Sequence, residues 1–118
     1  YITELSVIEQ YHMEQFARFL EQLLAIKEPN GKSLLENTMV LFGSGMGNAS
    51  SHSNKNLPLI LAGGGFRHGE HKSYFKDEAK KEATLAGNLF LSMLQRFGME
   101  IERFGLATST LAGLEETV

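Results

Sequence analysis

From residue 38 to residue 66 the chain reads TMVLFGSGMGNASSHSNKNLPLILAGGGF: two short apolar runs, 38–42 and 57–62, around a polar, glycine-rich stretch. Neither run alternates apolar with polar side chains, so both predict strands covered on two faces. Pro58 has no N–H to give a ladder and is expected at the start of the second strand. About 14 residues separate the runs, too few for a helical crossover. A functional loop is expected there instead, perched at strand ends where α/β proteins place their ligands. It gathers Ser44, Asn48, His52, Asn54 and Asn56.

Helical periods flank this stretch. Over residues 4–26, Ile8, His12, Phe16, Phe19, Leu20, Leu23 and Leu24 recur on one broad face, with Glu9, Glu14, Arg18 and Glu21 read as lying elsewhere. Ser6 and Glu9 have the spacing of a capping box, with Thr3 as a competing start. Pro29-Asn30-Gly31 predicts a turn after that helix. A second helix is predicted over 84–97 from Leu85, Leu89, Phe90, Met93, Leu94 and Phe97, with Gly98 as its cap. Between strand and helix, 66–82 reads as an exposed excursion with short strand pairing around 72–75 and a solvated face over 77–82. The segment from Gly105 onward reads as loop and frayed end.

With 118 residues the prior is one domain, and the two helices are expected to pack on the small sheet. A net charge of −3 disfavours a nucleic-acid partner held through phosphates. No apolar run is long enough to span a bilayer. The absence of cysteine removes thiolate metal sites and cysteine nucleophiles. Tyr1 at the first position reads as the start of a processed or excised piece. Two short apolar strands leave two sheet edges, which are expected to be covered by the rest of the same domain or by a second copy.

Gly43-Ser44-Gly45-Met46-Gly47 follows a strand but lacks the spacing of a dinucleotide fingerprint, and no G-K-[ST] phosphate loop is present. Ser44 also lies outside a G-x-S-x-G elbow. His52 is the residue with the clearest chemical potential, set among serines and asparagines that can orient an imidazole or contact a substrate. No carboxylate occurs between Asn37 and Glu70, so this loop alone cannot complete a divalent metal site. His68 and His71, with Glu70 between them, are read as an exposed pair or as contributors to a site on a folded-back loop.

The segments ENTMVLFGSGMGNASSHSNKNLPLILAGGG and ATLAGNLFLSMLQRFGMEIERFG resemble, in order, the C-terminal part of the HXXSHH-motif family of bacterial proteins of unknown function. The likeness covers residues 34–114, and the histidine motif naming that family falls outside this sequence. The layout is also similar to the last portion of alkaline-phosphatase and sulfatase-like domains. That resemblance implies an α/β fold with a small, mostly parallel sheet flanked by helices, forming a single domain over 1–118 or the C-terminal fragment of a larger one. It implies an exported or periplasmic protein and hydrolysis of phosphate or sulfate esters with a divalent metal. His52 would be the metal ligand, and Ser44, Asn48, Asn54 and Asn56 would contact the ligand. Where those domains carry an Asp-His pair after the strand, this chain has Ser44-Gly45-Met46. The alternative is a binding module that kept the fold without catalysis.

Overall fold

The computed structural model describes residues 1–74 and 84–115. The elements run α1 (Ile2–Ala25), β1 (Met39–Gly43), β2 (Leu59–Gly63) and α2 (Ala86–Arg96). Two compact units result, one made of residues 1–40 with 62–65 and the other of 41–61 with 66–118.

Both apolar runs are strands, but they form a two-stranded antiparallel sheet, which corrects the expected mostly parallel arrangement. The register is visible in the backbone crowding at each end. Gly43 lies against the Pro58 carbonyl and the Leu59 Cα, while Gly63 lies against the Thr38 carbonyl. The Ser44 N–H donates to the Pro58 carbonyl at 3.2 Å, so the proline that cannot donate serves as an acceptor. The physical cause is the connection. Too short to cross over as a helix, it folds back on itself and returns the chain beside its own strand. The expectation of two-sided burial also fails: most strand residues are only half-buried, and Ile60 is 38% exposed. Continuous apolarity records that the strands avoid water, not how many faces they cover.

Within the first unit, α1 begins at Ile2 without a side-chain cap. Ser6 is therefore inside the helix, its hydroxyl donating to the Ile2 carbonyl at 3.0 Å, and the expected Ser6–Glu9 box is absent. The same spacing recurs at Ser33 and Glu36, and there the box closes. The Glu36 carboxylate accepts from the Ser33 N–H at 2.7 Å and the Ser33 hydroxyl at 2.8 Å, while the Glu36 N–H donates back at 3.2 Å. Ser33 is fully buried, and the Leu35 N–H reaches the Leu23 carbonyl, fastening this turn to the end of α1. The Gly64 N–H donates to the Leu35 carbonyl. A Cβ on Gly63, whose φ is +73°, would strike the carbonyls of Thr38 and Leu35. The predicted turn at Pro29-Asn30-Gly31 is present, closed by a Gly31 N–H to Glu28 carbonyl bond.

Along α1 the covered line runs through buried Phe16 and half-buried Leu20 and Leu23. Glu9 is seven residues before Phe16 and eleven before Leu20, so it stands on that line, a correction to the reading that set it elsewhere.

In the second unit, α2 buries Leu89, Leu91 and Ser92. Its end is a Schellman motif, with Gly98 N–H to the Gln95 carbonyl and Met99 N–H to the Leu94 carbonyl, both at 3.0 Å. Phe66 is buried beneath the Arg96 guanidinium, 4.7 Å from ring centroid to Cζ. The expected frayed end is instead stitched down through residue 115. The Leu111 N–H donates to the Ser92 hydroxyl at 2.8 Å, the Arg67 N–H to the Leu114 carbonyl at 2.8 Å, and the Tyr74 hydroxyl to the Ala112 carbonyl. Arg96 pairs with Glu115. Residues 72–74 form no strand. The rest of that expected pairing and the 77–82 face lie outside the described residues.

Candidate functional site

The loop joining β1 to β2 is built mostly by its own backbone and short polar side chains. Ser44 opens it, its hydroxyl accepting the Met46 N–H at 3.2 Å. Asn48 and Ser53 face each other as an antiparallel bridge, with the Ser53 N–H donating to the Asn48 carbonyl and the Gly47 N–H to the Ser53 carbonyl. The Asn48 side-chain oxygen accepts the Ser51 N–H, three residues on, at 3.0 Å, closing the tip in the manner of a helix N-cap. Gly47 is required by proximity, because a Cβ there would strike the carbonyls of Lys55 and Asn56.

His52 occupies the end of this small hairpin and is exposed. Its φ is +50°, and Asn56 shares that value. Asparagine and histidine are both enriched in this left-handed region, which still costs a residue with a Cβ about 1 kcal/mol. Asn54 and Asn56 are exposed on the returning limb.

The five predicted residues therefore share one loop, but not one role. Ser44 and Asn48 spend their side chains on the loop's own backbone. His52, Asn54 and Asn56 are turned to water. Among the described residues, none of the five side chains hydrogen-bonds another. Lys55, between Asn54 and Asn56, is the loop's cationic side chain, and site reasoning that looked for ligands to a metal passed over it.

The expected divalent metal can be tested on these residues. Among the described residues, no three His, Asp or Glu side chains gather into a group able to hold a metal ion. His52 offers one nitrogen, and divalent metals in proteins usually take three or more protein ligands. The described residues therefore do not by themselves fit a closed metal site. His68 and His71 are both exposed, and Glu70 between them is engaged by Lys72 and Arg67: the Lys72 hydrogen bond first, then the charge of both, hold its carboxyl below the ordinary value.

No helix among the described residues is long and apolar enough to cross a membrane. No protein-family model, curated protein or solved structure matches the chain.

Proposed function

We propose that this chain is the C-terminal portion of an alkaline-phosphatase/sulfatase-like domain of the HXXSHH-motif kind, and that its 44–56 loop binds the anionic group of a phosphate or sulfate ester without performing the hydrolysis itself. One observation carries this reading: an exposed tip bearing His52 and Lys55 among hydroxyls and amides, in a stretch without a carboxylate, on a chain whose net charge is −3. Acidic side chains are distributed over the rest of the sequence but are missing where an anion would approach, so local repulsion is lowest at this loop. Hydroxyl, amide and imidazole N–H groups are suitable donors to phosphate or sulfate oxygens.

Among the described residues no His, Asp or Glu group gathers to hold a metal, which favours binding over self-contained catalysis on this reading. Ester hydrolysis of this type needs metal ions to polarise the ester and activate a nucleophile. On this reading, those ligands come from polypeptide outside this chain. The test is to measure turnover of an aryl phosphate and an aryl sulfate by the chain, with zinc or manganese added, beside calorimetric titration with inorganic phosphate and sulfate. Anion binding without turnover is expected. Turnover by this chain alone would overturn the non-catalytic reading, and the absence of binding to either anion would overturn the ligand assignment.

A further inference from the structure

The line of α1 that is covered at Phe16, Leu20 and Leu23 continues uncovered towards the N-terminal end through Ile2, Leu5, Glu9 and Met13, with Ile8 beside it. Leu5 is 57% and Ile8 51% exposed. Residues four and seven apart repeat on one helix face, so this is one stripe of which only half is buried. The open half is about 16 Å long at the helical rise, room for three turns of a partner helix or an extended segment.

Glu9 decides what can cover it. The carboxylate stands in the middle of the open stripe with His12 flanking it three residues on, and the stripe itself carries no lysine or arginine. The helix's single such residue, Arg18, lies nine positions on, half a revolution away from Glu9. A parallel two-fold dimer would place Glu9 against its own copy, and an antiparallel one centred on the open stripe would bring the two Glu9 carboxylates within about a turn of each other. Burying two like charges together is costly. A membrane surface fits no better: Glu4, Glu9, Glu14 and Glu21 against Arg18 make this an acidic helix, whereas surface-seeking helices are rich in lysine and arginine.

We propose that the N-terminal half of α1 is a docking face for a polypeptide segment that is apolar and carries a lysine or arginine opposite Glu9. The pairing would set register through the charge, and the apolar contacts with Ile2, Leu5, Ile8 and Met13 would supply most of the affinity.

The chain itself provides the probe, because a Glu9→Lys copy presents the same apolar face with the complementary charge. Sedimentation velocity of wild type mixed with Glu9→Lys should show a one-to-one complex at least about tenfold tighter than the self-association of either alone. Leu5→Asp in the wild-type partner should abolish it. Glu9 is exposed, so helicity by circular dichroism should be unchanged. Should Glu9→Lys fail to fold, Glu9→Gln gives a second reading, in which loss of the charge should strengthen self-association severalfold over wild type. A mixture no tighter than its components, a complex that survives Leu5→Asp, or a Glu9→Gln variant that associates no better than wild type would overturn the proposal. So would a tight wild-type dimer, or co-sedimentation of wild type with phosphatidylglycerol vesicles.

Discussion

At Ser33 and Glu36 a serine and a glutamate three residues apart satisfy each other's backbone N–H groups. The Ser33 N–H, then its hydroxyl, holds the Glu36 carboxyl below its ordinary value of 4.5, with Lys27 and Lys32 adding to the effect. A carboxyl whose folded value is depressed contributes stability that is present above 4.5 and is lost as pH falls through the lower folded value. Denaturation followed from pH 7 down to pH 3 should therefore show a stability loss beginning below about 4.5, and Glu36→Gln should flatten that acid limb. Ser33→Ala removes both the donor and the acceptor at a buried position and should cost about 1 kcal/mol at neutral pH, measured by urea unfolding. His52 presents the opposite case, a side chain held where its backbone is uncomfortable. Backbone strain of this kind is more often tolerated where a side chain has work to do. His52→Gly should raise stability by up to about 1 kcal/mol and remove phosphate or sulfate binding. A variant that binds as before would leave the imidazole with no role in the site.

At the scale of elements, Ser92 joins α2 to the C-terminal segment: its hydroxyl donates to the Asn88 carbonyl at 2.9 Å and accepts the Leu111 N–H at 2.8 Å. Ser92→Ala strands a part-buried N–H and should destabilise the second unit by about 1–3 kcal/mol, with hydrogen exchange at Leu111 and its neighbours accelerated before that of α2. The two helices were legible in the sequence because apolar side chains recur at 3.6-residue spacing over many turns. The Schellman end at Gly98 was legible because the glycine sits one residue past that period. Strand direction was not, since a continuous apolar run looks alike in a parallel sheet and in a half-covered hairpin. The S-x-x-E spacing occurs at Ser6 and again at Ser33, and only the fold chooses between them. Glu9 was set off the apolar face because it is charged, although its spacing from Phe16 and Leu20 already puts it there. In the candidate site, the loop's position and its polar inventory were legible. Which side chains it spends on itself was not, because the Ser44 and Asn48 bonds depend on the loop's own turns.

For the whole molecule, the 44–56 loop is the proposed meeting point with an anionic ligand, with catalysis proposed to require residues from elsewhere. The loop itself is fixed by internal bonds, so removing one should affect binding more than folding. Gly47→Ala, which forces a Cβ onto the Lys55 carbonyl, should abolish binding while leaving α1 and α2 helical by circular dichroism. The most direct test is an amide NMR titration of the chain with inorganic phosphate and with sulfate. Shifts concentrated at residues 44–56, led by Ser51, His52, Asn54 and Lys55 and absent from α1, are the predicted result. Shifts spread along the chain, or concentrated at Arg67 and Lys72 with the loop silent, would contradict it.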